Sequence, residues 1–560
     1  MSKKPIAVEL AKKQREISVA EFFEKNRHLL GFDNKKKALL TTVKEAVDNS
    51  LDACEEARFV PDINVEVIDM NPKVKVEEGQ TTLNGDAPKQ TSDRFRVIIE
   101  DNGPGIVKKQ IPNIFAKLLY GSKFHSMKQS RGQQGIGISA AALYGQLTTG
   151  KPVRIISRIS EKHPANYYEL KIDTKTNQPQ IIKESEIKWN KPHGTRIEID
   201  LQATYQKAGQ SVDNFLKQTI IVNPHVSLVY TTPAAEQLVF SRVAKELPKE
   251  PKEIKPHPYG VELGRLIKML QWTKAKTLQS FLSKEFSRVG SGTAKNICEN
   301  ASLLTTTKPK KMTREMAEKL FDGINKTKLI APPTDCISPI GEELLEKSLK
   351  KELKAEFYCA TTRPPAVYRG NPFQIEVGLA FGGEQPSDKS ITLLRFANRV
   401  PLLYQQGACS VTKSVTGTNW RSYGLGQSRN SLPVGPCTIV VHMASVWVPF
   451  TSESKEALAH YPEIIKEIKL ALQECGRKLG QYVNKKKRIV AEGKKRDYIS
   501  TYIPHVAAAL KELLGKEVNK DKVEKLLKQI LEKKRGQLED IKVDVSEFDE
   551  DFALKNGKEK

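Results

Sequence analysis

At 560 residues the chain is too long for one hydrophobic core, and domain-size statistics divide it into about three or four units. Lys and Arg total 91 against 66 Asp and Glu, and the resulting +25 favours a polyanionic partner, nucleic acid before membrane. No apolar run reaches the roughly 18 to 20 residues that span a bilayer, and the Lys-rich start Met1 to Glu16 lacks a signal-peptide core, so a soluble, intracellular protein is expected. The seven cysteines are widely scattered, with no C-x-x-C pair and no histidine at metal-ligand spacing; they read as reduced, mostly buried thiols, and a zinc or His-based nucleophilic site has no support.

Along the chain, residues 36–57 have helical composition, and Leu39, Leu40, Val43, Ala46, Val47, Leu51 and Cys54 fall on one face at the helical period. Glu45, Asp48, Asn49 and Asp52 fall opposite, a stripe that on its own reads as a solvated face. Strand-like runs at 63–69, 95–100, 153–159, 167–172 and 195–201 are β-branched and partly alternating, with helical segments near 108–119, 136–145 and 210–220. This pattern predicts a mixed sheet with one face covered by helices, and the polar segment 71–93 reads as a mobile insertion between two of its strands.

Asp101 ends the second run and opens Asn102-Gly103-Pro104-Gly105, a turn in which both glycines are expected to supply positive φ while Pro104 fixes its own. A carboxylate placed there can accept a hydrogen bond from an exocyclic amine such as that of adenine; an ordinary turn aspartate is the plainer alternative. Arg131-Gly132-Gln133-Gln134-Gly135-Ile136-Gly137-Ile138 delivers backbone N–H groups to a helix N-terminus, where those donors and the positive end of the dipole suit phosphate. Between the two motifs, Gly121, Ser122, Lys123, Ser126, Lys128 and Ser130 form a polar segment suited to a lid. Gly145 to Pro152 imitates the G-x-x-x-x-G-K spacing of a P-loop but ends in Pro, so it reads as a helix-to-strand connection.

Residues 245–325 are helical in pattern around a glycine turn, Arg288 to Lys295, for which a phosphate contact and plain packing with solvated lysines stand equally open. From about 330 to 500, strands at Gln374–Ala380, Ile391–Phe396 and Thr438–Met443 alternate with helices. Ser452 to Glu456 falls in the loop that opens a long amphipathic helix, expected over 455–490 and ending in Lys485–Arg488, with Lys494–Arg496 beyond. Those cations suit sequence-independent contact with a duplex backbone, or simple solvation of a helix end. Residues 500–540 carry further helix, and Asp544–Asp551 form an acidic tail read as disordered. Asp549-Glu550-Asp551 lacks the strand context of a nuclease metal pair, so none of the fifteen tyrosines qualifies as a DNA-cleaving nucleophile.

The phrases EAVDNSLDA, DNGPGI, SKF and RGQQGIGISAA together resemble the N-box, G1 and G2 motifs of the GHKL ATPases, the superfamily of gyrase B, histidine kinases and MutL. Their wording is similar to that of the B subunits of type IIB DNA topoisomerases, and the likeness runs along almost the whole chain. It implies an α+β multidomain fold: a GHKL (Bergerat) α/β-sandwich ATPase domain with an N-terminal arm over 1–243, a helix-two-turn-helix module over 244–328, an α/β transducer domain with a long C-terminal helix over 329–498, and C-terminal helices with an acidic tail, suited to partner docking, over 499–560.

By the same resemblance, Glu45 would be the general base, Asn49 would hold Mg2+, and Asp101 on its Gly103–Gly105 turn would read adenine, with Thr195 supporting the adenine through water. Ser122, Lys123, Arg131, Gly132, Gln133, Gln134, Gly135, Ile136, Gly137 and Ile138 would line the phosphates, and Lys455 would reach the γ-phosphate from the transducer. The implied cofactors are ATP and Mg2+. The implied partners are a separate DNA-cleaving A subunit, in an assembly of two A and two B chains, a second B chain on ATP binding, and double-stranded DNA; no membrane is involved, and an archaeal cytoplasm with nucleoid association is the implied setting. A histidine kinase would need a phospho-accepting histidine on an upstream hairpin, and only His28 precedes the N-box. A MutL-like repair ATPase leaves the inserted helical module unexplained, and a non-hydrolysing DNA scaffold would have no need of Glu45.

Overall fold

A computed structural model describes residues 14–71, 93–123, 126–132, 135–207, 209–452, 454–515 and 519–535, together with Ala7, Leu10 and Ala11. Gln133, Gln134, Glu453, the acidic tail and all but the end residues of the 71–93 segment lie outside the described residues.

The helix Lys35–Glu56 starts where the side chain of Asn34 accepts from the Lys37 N–H, and its apolar face, Leu39, Val43, Ala46, Val47 and Leu51, is buried. It packs over an eight-stranded sheet made of β1 (Asp62–Asp69), β2 (Arg94–Asp101), β3 (Val153–Arg158), β4 (Ala165–Asp173), β5 (Gln178–Ile187), β6 (Gly194–Gln202), β7 (Ser227–Thr231) and β8 (Gln237–Phe240). The order is β5-β4-β3-β6-β2-β1-β7-β8, antiparallel throughout except for the parallel pair β1–β7. Helices Gly137–Thr149 and Val212–Val222 complete the covering layer, and one apolar cluster joins Ile63, Val65, Val97 and Ile99 of the sheet to Ala141, Leu143, Phe215 and Leu216 above it. The sheet is the mixed one expected, with three further strands. β5 escaped sequence reading because most of its residues are exposed, so it carries no apolar alternation. The helix expected over 108–119 contracts to one 3-10 turn, Lys108–Gln110, and the short helix Ile111–Ala116.

Helices Leu263–Trp272, Leu278–Glu285, Ser291–Asn300 and Arg314–Lys326 surround their own cluster, with Leu266, Phe281, Leu282, Ile297 and Leu320 at its centre. Arg288 is exposed at φ 59, and Lys295 pairs with Glu299 at 3.7 Å.

A second, six-stranded sheet follows, formed by β9 (Phe357–Thr362), β10 (Ala366–Tyr368), β11 (Asn371–Phe381), β12 (Thr392–Ala397), β13 (Val400–Pro401) and β14 (Cys437–Ser445). β14 is buried along its whole length because the sheet is covered on both faces. Ile439, Val441 and Met443 meet Ile464, Ile468 and Leu472 of the long helix Pro462–Leu514, while Val440 meets Leu345 and Leu349 of the helix Glu342–Glu352. Ile221 and Val222 of the first unit join that second cluster, so the two sheets share an apolar seam.

The long helix corrects the expected one: it starts at Pro462, not 455, and runs 53 residues to Leu514. Proline is favoured in the first turn, which fixes the start, and Lys and Arg are good helix formers, so their clustering does not end it. Lys485–Arg488 and Lys494–Arg496 are therefore mid-helix, and the stop comes at Gly515 with φ 84. All seven cysteines are buried and free. The P-loop look-alike is a connection: the Gly150 N–H, at φ 71, donates to the Gln146 carbonyl at 2.8 Å, and β3 begins at Val153.

Gly105 has φ 69, and a Cβ there would stand 2.0 Å from the Arg158 carbonyl oxygen. Gly105→Ala should therefore lose at least about 1 to 3 kcal/mol of stability, read as a lower chemical-unfolding midpoint.

Candidate nucleotide site

A cavity of about 620 Å³ opens between the helix Lys35–Glu56, the end of β2, the glycine loop and the loop 452–456. Glu45, Asn49, Asp101, Gly105, Ser122, Lys123 and Thr195 line it, together with Gly132, Gly135, Ile136, Gly137, Ile138 and Lys455.

At one end Asp101 is buried, and its carboxylate accepts from the Ser50 hydroxyl at 2.8 Å, the Gly103 N–H at 2.9 Å and the Thr195 N–H at 3.1 Å. Burial raises its pKa against the pull of these donors. Gly103 is not at positive φ, contrary to expectation, and does not line the cavity. Its smallness is needed instead because a Cβ would lie 3.0 Å from Asp101 Oδ1 and 3.4 Å from Cys54 Sγ. The Thr195 hydroxyl is 3.1 Å from that of Ser157, beside Asp101.

At the other end Glu45 sits one helical turn before Asn49, against the first residue of the helix Gly137–Thr149. A Cβ on Gly137 would fall 1.7 Å from Glu45 Oε2, so only glycine admits the carboxylate, which gains from the positive end of that helix. Lys123 pairs with Asp52 at 2.7 Å and Glu56 at 3.5 Å; burial works against its charge, but the carboxylates prevail and its pKa is raised.

Arg131 departs from the expected phosphate contact. Its guanidinium, on a residue only 4% exposed, turns away from the cavity to Asp52 (3.0 Å), Glu55 (2.7 and 3.0 Å) and Asn223 (2.5 Å). The reason is electrostatic: two carboxylates on the same helix meet it there, and Glu55, despite burial, is held well below its ordinary pKa by Arg131 and His225. The Gly132 N–H is likewise engaged, donating to Asp52 at 3.2 Å.

Lys455 is 7% exposed, takes φ 53, and donates from Nζ to the Arg131 carbonyl at 3.0 Å. Its loop is tied to the helix Lys35–Glu56 at two further points: Lys44 Nζ donates to the Ser454 carbonyl at 3.2 Å, and Lys37 pairs with Glu456. Asp48, on the same helix, is buried with neither carboxylate oxygen hydrogen-bonded; burial lifts its pKa to about 7 against the pull of Lys455 and Lys44. Behind the glycine loop, Arg399 donates its backbone N–H to His442 Nε2 at 3.0 Å, and His442 Nδ1 lies 2.8 Å from Glu376. An accepting Nε2 places the proton on Nδ1, so His442 is neutral.

Of the expected residues, Arg131 and Gly103 do not line the cavity, whereas Lys37, Lys44, Ser50 and Glu456, which the sequence did not single out, do. Asp52 lay inside the N-box and was signalled by its motif, but Lys37, Glu456, Asn398 and Arg399 find their partners across the chain, where no local pattern points.

A carboxylate and a carboxamide one helical turn apart, a buried aspartate on a glycine turn and a glycine loop opening a helix define a GHKL-type ATPase. Residues 34–205 match the family described as histidine kinase-, DNA gyrase B-, and HSP90-like ATPase, and residues 332–495 match the topoisomerase VI B subunit transducer. The B subunit of type 2 DNA topoisomerase 6 from Methanococcoides burtonii is 50% identical over 515 residues, covering 92% of this chain and 80% of that protein. Its counterpart from Archaeoglobus fulgidus is 48% identical over 506 residues, covering 90% and 80%. The chain belongs to this family, the ATP-driven B subunits of type IIB DNA topoisomerases. Among solved structures, the ATPase domain of Thermus thermophilus gyrase B aligns at 10% identity with a TM-score of 0.37, over 84% of this chain and 91% of that one. Among the described residues no helix is long and apolar enough to cross a membrane.

Gly137→Ala should displace Glu45 and lower ATP turnover on the order of 100-fold, while nucleotide binding changes less; steady-state hydrolysis and equilibrium binding measure the two. Burial holds His225 and His442 below the ordinary 6.5 despite Glu55 and Glu376, so both enter the fold neutral. Below 6.5 the unfolded chain takes up protons at both histidines that the fold refuses, so the two should withdraw stability as pH drops through that value, offset in part by Asp48, which the fold protonates from about 7 downward and the unfolded chain does not. Unfolding temperature against pH tests this, and His225→Gln should flatten the dependence.

Proposed function

We propose that the cavity binds ATP with adenine at Asp101 and the phosphates toward the glycine loop, and that hydrolysis here drives passage of one DNA duplex through another. The observation that carries this reading is Lys455: its ammonium enters the cavity from a loop 324 residues beyond Arg131, so the site is completed by the second sheet's own unit. An ionised carboxylate has about four lone-pair sites. Three donors occupy Asp101, which leaves one for the exocyclic amine of adenine.

Glu45 Oε2 takes the proton from a water whose oxygen bonds to the γ-phosphorus as the bond to the ADP oxygen breaks, and it releases that proton with the products. Lys123, Ser122 and the loop over Gly135–Ile138 hold the phosphates, and Lys455 exchanges the Arg131 carbonyl for the γ-phosphate. For Mg2+, the fit is that of a single hard oxygen: Asn49 faces the cavity, and among the described residues no cluster of three His, Cys, Asp or Glu suits a metal. Asn49 would hold it jointly with the phosphates, and when bound it would neutralise charge on the transferred group.

On this reading residues 1–243 are the ATPase unit, 244–328 the helix-two-turn-helix module, 329–498 the transducer and 499–560 a docking segment. Two copies close on ATP, a separate A subunit cuts the duplex, and the net charge of +25 supports grip on DNA irrespective of sequence, in an archaeal cytoplasm.

Glu45→Ala should keep ATP binding and lose about 10²- to 10⁴-fold in turnover; Lys455→Ala should lower turnover and weaken ATP-dependent dimerisation. Supercoil relaxation should require both this chain and the A subunit. Unchanged hydrolysis by Glu45→Ala, or relaxation by this chain alone, would overturn the assignment.

A further inference from the structure

We propose that the Asn398–Arg399 corner of the transducer is a positioning element for the phosphate-binding loop, a second contact with the nucleotide site besides Lys455. The proposal rests on reading Gly132–Ile138 as the phosphate loop.

Ala397 pairs with Val400 across the β12–β13 hairpin, so Asn398 and Arg399 form a two-residue turn, with φ 46 and 64. Both central residues of such a turn take positive φ, for which Asn-Gly is the favoured pair. Arginine in the glycine position is a poor turn former, so its side chain has a task that glycine would not perform. Both residues are 4% exposed, although two-residue turns ordinarily sit in solvent.

The side chains reach out of their own sheet. The Asn398 carboxamide donates to the Ser130 carbonyl at 3.0 Å and the Ser445 carbonyl at 2.9 Å, and accepts from the Ser445 N–H at 2.9 Å, which uses its capacity on both sides of the seam. The Arg399 guanidinium donates to the carbonyls of Ser338 (3.2 Å) and Pro339 (3.1 Å) and stands 3.9 Å from Glu55, the carboxylate that grips Arg131. Gln129 completes the zipper, its backbone N–H donating to the Cys336 carbonyl and its side chain exchanging hydrogen bonds with Ser338.

Residues 129, 130 and 131 are therefore held one after another immediately before Gly132. Gln129 and Ser130 are held from Cys336, Ser338 and Asn398, and Arg131 by Lys455 at its carbonyl and through Glu55 at its side chain. The backbone entering the phosphate loop is therefore held from both sides, by Asp52 of the helix Lys35–Glu56 and by the transducer, so a rotation of the transducer loads the contacts at residues 129–131.

Asn398→Gly keeps the left-handed turn, relieves its strain and removes only the carboxamide. Asn398→Asp is isosteric and keeps the acceptor for the Ser445 N–H but loses the donor to both the Ser130 and the Ser445 carbonyls; it serves should the glycine variant not fold. Both also leave the Ser445 carbonyl without its donor and so lower the unfolding temperature; measured well below each variant's own unfolding temperature, KM for ATP should still be raised about fivefold, the weight of one buried hydrogen bond, with a smaller change in kcat. The rise in unfolding temperature on adding a non-hydrolysable ATP analogue should shrink in both. Arg399→Gly should act in the same direction, and Arg399→Lys should restore part of the loss.

A KM within twofold of the parent in both Asn398 variants overturns the inference. So does a KM change seen only near each variant's own unfolding temperature, since that is a structural role alone. Glu45→Ala, run in parallel, separates the readings: if it still turns over ATP, the site assignment itself has failed; if it is dead while the Asn398 variants match the parent, only the corner's role is lost.

Discussion

Arg131 is a guanidinium shut away from water, and the arrangement of the nucleotide site follows from keeping that charge satisfied. An ion of this kind is tolerated inside a fold only when opposite charges and acceptors reach it in good geometry. Asp52 and Glu55 supply the charge from the helix Lys35–Glu56, and Asn223 supplies an acceptor from the end of the helix Val212–Val222. Because Asp52 also accepts from the backbone N–H groups of Arg131 and Gly132, at 3.3 and 3.2 Å, one carboxylate fixes both a side chain and the chain entering the glycine loop. The net worth of such a network in stability is small or negative, since each ion is desolvated. What it supplies is register: the N-box helix and the glycine loop cannot slide past one another without stranding a charge.

That register matters because the opposite side of the site depends on two close approaches, one rigid against backbone at Gly105 and one at Gly137 against the Glu45 carboxylate, which a side chain there would push aside. Gly137 lies where any side chain would overlap Glu45, and Gly105 lies where a Cβ would strike the Arg158 carbonyl. The two glycines act differently. Gly105 needs its left-handed backbone, whereas Gly137 is required for space alone, at the start of a helix whose positive end faces the carboxylate. A carboxylate set this way is oriented by exclusion rather than by a partner, which keeps its oxygens available to water.

The parts legible in sequence were those whose cause is local. The helix Lys35–Glu56 announces itself through apolar spacing, and the turn after Asp101 through glycines flanking a proline. The GHKL likeness of the three motifs supplied the superfamily. β5 was illegible because most of its residues are exposed and none is buried, and β13 because a strand of two residues carries no period. The long helix was cut short at its lysines because charge clusters look like ends, whereas only Gly515 supplies a stop. Arg131 was misplaced for the opposite reason: its motif is right, but whether an arginine faces phosphate or its own helix depends on where Glu55 and Asn223 arrive in three dimensions. The Asn398–Arg399 turn gave no signal, since it lacks the glycine by which such turns are recognised.

Lys455 shows why the two units belong to one device. Its ammonium is buried against a neutral carbonyl, and the buried carboxylate of Asp48, which feels its charge, makes no hydrogen bond to it. On the function proposed above, the terminal phosphate of a nucleotide is the counter-ion that this cation would take in exchange for the carbonyl. The loop that carries it is tied to the N-box helix through Glu456 and the Ser454 carbonyl, and continues into the helix that covers the second sheet. Loss of the phosphate would return the ammonium to its carbonyl and weaken the hold of that loop on the first unit. Since Ser130 and Arg131, the acceptors on the nucleotide side, are the residues that the transducer also grips, the two routes across the seam converge on one short stretch of backbone.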